Sequence, residues 1–426
     1  MNRLIKSNLI VLIISNTTNL FNYLLQVFLA HSLTTEDFGV YNSVNSLGLI
    51  ASSLVNVFIF LSAKYIIHFQ DSLPKQCSII LLFTKTILIW GTLLCLIMSA
   101  CSGSFARYLN LDEITPILLF IAWFFSFCFI GIYMGVLNGF LQYVKTTIQN
   151  SCQNLLRLLF SIIAVVIIGW SYNGVLFAGI LANIVTAIWM FHGILKRVNI
   201  FQIIPEDLPE NTRYEMLKYA IPVALNWIAI SILSNMDIVL VKHFLSASDT
   251  GLYSVASLLA KIALFLPMMM LSVLFPEVAK HHEKKESPIK TVMVTIGLSV
   301  AITGVYTFVV YLFPDLIIRS LFGETYLQAS GVLVTITFAM SLFSLSFIIF
   351  SAFLEKSIFS FLLPTYIIIG LTVMIVYLKL NNSFEQIAQA VLIGSATLLA
   401  VNLLILLKRY YYRIRPTTVN GTSKGP

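Results

Sequence analysis

The chain has 426 residues, of which 58% are hydrophobic and only 10% are charged, and its formal net charge is +8. Soluble globular domains carry about a quarter charged residues, so this composition excludes an ordinary soluble protein, and it excludes a disordered chain as well. Apolar residues fill the whole length, and one spanning helix needs about 20 of them. The sequence therefore predicts an all-α integral membrane protein with about 12 transmembrane helices.

Twelve apolar runs of spanning length follow one another along the chain. They cover approximately residues 9–30, 41–62, 79–100, 117–138, 149–169, 174–195, 219–241, 252–275, 290–313, 328–354, 361–378 and 386–407. With the N-terminus placed in the cytoplasm, 19 Lys and Arg residues fall in cytoplasmic segments and 4 in outer loops. This bias predicts a multi-pass protein with both termini cytoplasmic, because cytoplasmic loops retain basic residues.

The basic residues lie between the apolar runs, where topology accounts for them, so no nucleic-acid partner is predicted. The five cysteines show no metal-ligand spacing, and the adjacent His281 and His282 have no carboxylate or cysteine at ligand distance in the sequence. The sequence therefore predicts no metal site and no cofactor.

One short pattern occurs twice, 212 residues apart: His31–Tyr41 and His243–Tyr253 both read H-x-L-[ST]-x-x-D-x-G-[VL]-Y. Each copy joins the first helix of a half to the second. We expect the Thr or Ser to start an exposed turn, the Asp to cap the next helix and the Gly to allow a tight turn. These residues are Thr34, Asp37 and Gly39 in the first copy and Ser246, Asp249 and Gly251 in the second.

The repeat predicts a duplicated chain, although chance similarity between two short loops is the alternative. Six helices separate the two copies, so the halves run parallel through the membrane, as in two-lobe transporters with a central site. The predicted organisation is an N-terminal six-helix lobe at residues 1–200, a cytoplasmic linker at 201–218, a C-terminal six-helix lobe at 219–407 and a basic cytoplasmic tail at 408–426.

Polar side chains interrupt the apolar runs in a pattern that predicts a hydrophilic chamber. The ionisable ones are Lys85, Arg157, Asp237 and Lys261. A charge at mid-helix costs about 2.5–3.5 kcal/mol, so we expect these groups to face a wet cavity or one another. Asn150, Asn154 and Arg157 share one face of the fifth run, and Asn19 and Asn22 lie on one face of the first.

Two alternatives stay open for these charges. Lys85 is within about two turns of the predicted cytoplasmic end of its helix, so its ammonium group could simply reach the membrane surface. Asp237 and Lys261 are on neighbouring helices, where they could form a structural salt bridge.

Four segments carry a resemblance to a known family. They are Leu33–Tyr41, then Ser234–Leu240 with Asp249–Ala256, and the closing Leu274-Phe275-Pro276. In these segments and in layout, the chain resembles the Wzx-type O-antigen and capsule flippases of the multidrug/oligosaccharidyl-lipid/polysaccharide exporter superfamily. The motifs are structural turns and not a chemical signature.

The resemblance implies transport of an undecaprenyl-diphosphate-linked oligosaccharide from the cytoplasmic to the outer leaflet of a bacterial inner membrane, by alternating access of two lobes. It also implies contact with membrane lipids, a polysaccharide polymerase and a chain-length regulator. On this hypothesis three cations attract the diphosphate, four amides bind sugar hydroxyls and one acid takes up a proton or a sodium ion. The cations are Arg157, Lys85 and Lys261, the amides are Asn154, Asn150, Asn19 and Asn22, and the acid is Asp237.

Two other functions are weighed against this hypothesis. A multidrug exporter of the same superfamily would favour cationic cargo, whereas this chain has three intramembrane cations and one intramembrane acid. An integral polysaccharide polymerase or acyltransferase would be expected to carry catalytic groups on a sizeable loop, and no such loop is predicted. The sequence also lacks a GxxxxGK[ST] loop, so no built-in ATP motor is predicted.

Overall fold

The structure is a computed structural model that describes residues 2–198, 202–268, 289–351 and 358–414. In these ranges the regular secondary structure is helical. The first part of the chain forms α1 (Asn2–Ser32), α2 (Thr35–His68), α3 (Leu73–Thr86), α4 (Thr92–Ala100), α5 (Ser102–Tyr108), α6 (Thr115–Gly139), α7 (Tyr143–Ile162) and α8 (Tyr172–Leu195). The rest forms α9 (Thr212–Phe244), α10 (Ala247–Met268), α11 (Ile289–Leu312), α12 (Pro314–Phe322), α13 (Ser330–Ser351), α14 (Ile358–Leu378) and α15 (Phe384–Ile414).

Each of the twelve predicted apolar runs coincides with helix wherever the structure describes it. Eleven helical segments of the described residues are long and apolar enough to cross a membrane, and α1 covers the first run. Two spans pass through a short π-helix: Ile87–Gly91 joins α3 to α4, and Ile163–Ile167 extends α7. The all-α membrane fold predicted from composition is confirmed, and the chain is a multi-pass membrane protein.

Contacts between helices divide the chain into two compact units. The first comprises residues 1–254 and 319–326, and the second comprises residues 255–318 and 327–426. In the first unit α2 packs on α6 and α9, while α8 packs on α6 and α7 and α1 packs on α7. In the second unit α13 packs on α11 and α15, and α14 packs on α15. The lobe boundaries at 1–200 and 219–407 stay a prediction.

Glycines spaced four apart bring α6 close to α2. A methyl group added to Gly135 would lie 2.5 Å from the carbonyl oxygen of Ile59, and one added to Gly139 would lie 2.6 Å from Cβ of Ile66. Small residues on one helix face let two backbones approach, and van der Waals contacts then replace the hydrophobic driving force that lipid does not supply. The glycines thus let the backbones of α2 and α6 pack against each other.

The repeated pattern forms matching helix starts. Thr34 is the N-cap of α2, and its hydroxyl accepts from the backbone N–H of Asp37 at 3.1 Å. Ser246 does the same for Asp249 at 3.0 Å at the start of α10, and the Asp249 carboxylate accepts in return from the Ser246 backbone N–H. The expectation that Asp caps the next helix was therefore wrong at Asp37, because the Thr34 hydroxyl accepts the backbone bond there. It is confirmed at Asp249, whose carboxylate completes a reciprocal capping pair with Ser246.

The repeated glycines do not form turns, contrary to the sequence prediction. Gly39 lies inside α2 and Gly251 inside α10, and neither has a positive φ. A methyl group on Gly39 would overlap the carbonyl oxygen of Ala247, and one on Gly251 would overlap that of Thr35. Thr35 and Ala247 are themselves equivalent in the repeat, so the contact is reciprocal. The glycines therefore allow α2 to cross close to the first turn of α10.

A polar clasp joins the C-terminal end of α9 to the end of α5 and the residues that follow it. Asn110 has a left-handed backbone, φ +48°, just after α5. Its side-chain amide donates to the carbonyl of His243 at 2.8 Å, and its own carbonyl accepts from Lys242 Nζ at 2.9 Å. The His243 ring stacks on Tyr108 with centroids 4.1 Å apart. The buried Lys242 ammonium thus donates to a backbone carbonyl, and no carboxylate in the part of the chain that the structure describes forms an ion pair with it.

Replacing Gly39 by Ala is expected to lower the thermal unfolding midpoint of the purified chain. The added methyl forces α2 and α10 apart, and such overpacking costs about 1–3 kcal/mol. The matched control is Gly304→Ala in α11, where nothing lies within 4 Å of the added methyl. Its midpoint is expected to stay the same or to rise slightly, because Ala favours a helix. Equal midpoints for the two variants would contradict a close crossing at Gly39.

Candidate functional site

The guanidinium group of Arg157 lies among neutral partners in the first unit. Its Nη2 donates to the Tyr41 hydroxyl at 2.8 Å and to Asn45 Oδ1 at 3.1 Å, both on α2. Within the described part of the chain, no carboxylate forms an ion pair with Arg157. The side chain is only partly buried. The site therefore keeps a net positive charge in a membrane-spanning segment.

Trp123 and Gly179 shape the space around this cation. Arg157 Cζ lies 5.9 Å from the centre of the Trp123 ring, which stacks in turn on Phe127. A methyl added to Gly179 would lie 2.8 Å from Cδ1 of Trp123 and 3.6 Å from Nε of Arg157. The aromatic face can stabilise the cation, and only a glycine leaves room for the ring beside α8.

A buried polar seam runs between α7 and α8. Gln153 donates to Asn183 Oδ1 at 2.9 Å, and Asn183 donates to the Ser126 hydroxyl of α6 at 2.9 Å. Arg157 is four residues after Gln153 on α7, and Gly179 is four residues before Asn183 on α8. The two residues lie side by side because the helices are antiparallel. The seam therefore joins α7, α8 and α6 by hydrogen bonds, one helical turn from the cation site.

Several polar atoms along this seam have no hydrogen-bond partner among the described residues. They are both polar side-chain atoms of Gln149, Nε of Arg157, Nε1 of Trp123, Oγ of Ser161 and Oγ1 of Thr186. An unsatisfied buried polar group costs about 1–3 kcal/mol, so clustering them on one seam is expensive for stability alone. The seam is suited to a hydrogen-bonding ligand.

The structure places the predicted amides on two packed helices. Asn150 and Asn154 of α7 are partly buried, and the Asn154 side chain donates to the Asn150 carbonyl at 2.9 Å. On α1, which packs against α7, Asn22 is partly buried and Asn19 is exposed. These four amides and Arg157 thus belong to one helix pair, although their proposed role stays a prediction.

Sequence reasoning missed the partners of Arg157 that come from other helices, Tyr41, Asn45 and Trp123. It also chose Asn150 and Asn154 as the stripe that leads to Arg157. The buried stripe is Gln149 and Gln153, which lie eight and four residues before it. That four-residue spacing was visible in the sequence and could have indicated a second polar face.

The other two predicted cations are on other helices. Lys85 is exposed on α3, a helix that packs on α2 and α6. At the start of that helix, Lys75 pairs with Glu206 of the segment between α8 and α9 at 3.3 Å. Lys261 is buried in α10 and belongs to the second unit. The structure does not bring Lys85 into the hydrogen-bonded group around Arg157.

Asp237 is fully buried in α9, where its carboxylate lies beside the Tyr253 side chain. Tyr253 is the repeat equivalent of Tyr41, so the same position of the pattern serves a carboxylate in one copy and a guanidinium in the other. The predicted pairing of Asp237 with Lys261, which belong to different units, stays a prediction.

Potential metal ligands can be compared only within the residues that the structure describes. Among residues 2–198, 202–268, 289–351 and 358–414, no group of three or more His, Cys, Asp or Glu could hold a metal ion. His281, His282 and the Leu274-Phe275-Pro276 motif lie outside the described residues.

Comparison with known proteins gives one family match. The family described as polysaccharide biosynthesis protein matches residues 4–282, which is more than half of the chain. Among curated proteins, no sequence relative matches the chain significantly.

Solved structures match the fold over nearly the whole chain. An inward-facing multidrug resistance MATE family transporter of the MOP superfamily has a TM-score of 0.79 at 13% identity, with 96% of this chain and 99% of that chain covered. An outward-facing MATE transporter of the same superfamily gives 0.61 at 13% identity, with 95% and 94% covered. A MATE protein in a bent conformation gives 0.62 at 14% identity, with 96% and 95% covered. These likenesses define the fold.

Tyr41→Phe is expected to destabilise the chain through Arg157. The change removes one acceptor of a charged donor, a bond worth about 1.5–3 kcal/mol. In an Arg157→Gln background the same change should cost less, since the charge is gone. Thermal unfolding of the two single variants, the double variant and the wild type measures this coupling. Strict additivity of the two changes would contradict the Tyr41–Arg157 bond.

Proposed function

Because the chain belongs to the polysaccharide biosynthesis protein family and has the fold of MATE transporters, we propose that it is a lipid-linked oligosaccharide flippase. Its cargo would be an undecaprenyl-diphosphate-linked oligosaccharide repeat unit, moved from the cytoplasmic to the outer leaflet of a bacterial inner membrane. The product would supply O-antigen or capsular polysaccharide synthesis. Alternating access of two lobes, with both termini in the cytoplasm, is the proposed mechanism.

One observation carries the proposed cargo: Arg157 is held in a spanning segment by two neutral acceptors and no described carboxylate. A cation kept unneutralised at membrane depth is costly, and such groups generally mark substrate or ion pathways. A diphosphate supplies charge-assisted hydrogen bonds that strengthen in a low-dielectric site. Arg157 is therefore the proposed anchor for the diphosphate.

The remaining predicted residues take supporting roles in this proposal. Lys85 and Lys261 would add positive charge along the path of the headgroup. The amides Asn19, Asn22, Asn150 and Asn154 would hydrogen-bond the sugar hydroxyls, as side-chain amides can both donate and accept.

A cationic drug is the competing cargo, since the solved structures of this fold include multidrug transporters. The unneutralised Arg157 argues against it, because a like charge at the binding site repels the cargo.

Asp237 is the proposed site of ion coupling. It is a buried acid on α9 in the first unit, beside Tyr253. Uptake of a proton or a sodium ion there would neutralise it and favour one conformation over the other. One elementary charge moved through 100 mV provides about 2.3 kcal/mol, enough to bias a two-state equilibrium more than tenfold. A polysaccharide polymerase and a chain-length regulator are the proposed protein partners.

Arg157→Gln is expected to reduce surface polysaccharide at least about tenfold in a complementation assay, because it removes the charge-assisted bonds to the diphosphate. Glycan-loaded lipid carrier should accumulate in the cytoplasmic leaflet, while the amount of protein in the membrane stays unchanged. Arg107→Gln is the matched control, since Arg107 is exposed on α5 and its side-chain Nε donates to the Gly103 carbonyl of the same helix. Normal polysaccharide in the Arg157 variant would contradict the proposal.

Asp237→Asn is expected to make transport insensitive to the ion gradient. The amide keeps the shape of the side chain but cannot exchange a proton or balance a sodium ion. Flipping of a fluorescent lipid-linked sugar in vesicles, with and without an imposed proton or sodium gradient, measures the effect. If collapse of both gradients leaves wild-type flipping unchanged, Asp237 has no coupling role.

A further inference from the structure

An apolar groove of about 410 Å³ opens on the face of α6 and α8. Phe125, Phe129 and Tyr133 form the α6 wall, and Ile184 and Phe191 contribute to the α8 wall. On α6 the groove extends from residue 122 to 133, roughly 16 Å at the helical rise. Both helices are membrane-spanning candidates, so hydrocarbon is the medium that surrounds this recess.

The groove begins beside the Arg157 site. Gly179, which would touch Arg157 and Trp123 if it carried a methyl group, directly precedes the groove residue Ile180. On the other wall, Ser126 follows Trp123 by less than one helical turn. Ser126 also accepts from Asn183, which continues the polar seam to the groove. A cation site and an apolar recess thus adjoin along the same two helices.

This juxtaposition fits an amphiphile with an anionic head and a long apolar chain. Arg157 has no carboxylate partner among the described residues, so an anionic headgroup would balance its charge. The aromatic walls of the recess gain dispersion contacts only when hydrocarbon fills it. We propose that the α6–α8 groove binds the polyprenyl tail of the lipid carrier while its diphosphate approaches Arg157. The proposal rests on the proposed function and adds a binding site for the tail.

The direction of the groove agrees with the orientation of a lipid whose headgroup has left the cytoplasmic surface: the tail points toward the cytoplasm and the head lies at the depth of Arg157. Starting near Arg157, it runs toward Tyr133 and Phe191, at the ends of α6 and α8 that the basic-residue bias assigns to the cytoplasm. A tail in this groove would stay in hydrocarbon while the headgroup reaches the polar seam.

Photo-crosslinking tests the site. The probe is a benzophenone-tagged geranylgeranyl diphosphate, added to the full chain in phosphatidylglycerol nanodiscs, with labelled peptides identified by mass spectrometry. Labels are expected in residues 115–139 and 172–195. Ala187→Phe, which fills the groove, should lower labelling about tenfold, since the displaced tail loses the burial of several methylenes. Val185→Phe is the control, because Val185 is exposed on the same helix and does not line the groove.

Competition distinguishes the source of the chain that occupies the groove. Excess undecaprenyl phosphate should abolish labelling, whereas extra phosphatidylglycerol should not. Labelling that persists in Ala187→Phe, falls equally in Val185→Phe, or is competed equally by phosphatidylglycerol would overturn the proposal and leave an ordinary lipid-facing furrow.

The failure of this site can be separated from failure of the proposed function. If the wild-type chain restores surface polysaccharide to a strain lacking a flippase but Ala187→Phe leaves the labelling by the probe unchanged, only the tail site is wrong. If the wild-type chain neither restores polysaccharide nor moves a lipid-linked sugar in vesicles, the proposed function itself is wrong.

Discussion

The central constraint is the cost of keeping an ionised group in a hydrocarbon interior. The chain stabilises Arg157 with a phenol, an amide and an indole face, none of which removes its charge. A carboxylate partner would have been more favourable electrostatically but would have left a neutral pair. The surrounding architecture follows from this choice: α2 must approach closely to supply Tyr41 and Asn45, and Gly179 must be small so that Trp123 can lie beneath the guanidinium.

The pattern that occurs twice meets opposite charges at the same position. Thr34 and Ser246 cap their helices in the same way, and Gly39 and Gly251 make reciprocal contacts. The tyrosines that close the two copies differ in what they meet. Tyr41 accepts from Arg157, whereas Tyr253 lies beside Asp237. The two copies share their backbone geometry and differ in the sign of the charge beside the tyrosine.

Much of the fold was predictable because hydrophobicity at spanning length is a local property of the sequence. Each apolar run coincides with helix wherever the structure describes it, and the bias of the basic residues gave a consistent alternation. Roles that depend on distant partners were not predictable. Gly39 looked like a turn residue because its contact with Ala247 is invisible locally. Asp37 looked like a helix cap, yet its carboxylate accepts from the Ser171 hydroxyl at 2.6 Å. Gln149 and Gln153 were overlooked because two adjacent stripes of α7 are polar, and only packing shows which one is buried.

The reciprocal glycine crossing has a mechanical consequence. Backbone approaches backbone there, and the Thr35 methyl group of α2 also lies against Gly251. The spacing of the two backbones at that point is therefore set by the absence of side chains on Gly39 and Gly251. The clasp around Asn110 has the opposite character, since its directional bonds resist shear. Close backbone packing and directional hydrogen bonds therefore act next to each other at the C-terminal end of α9.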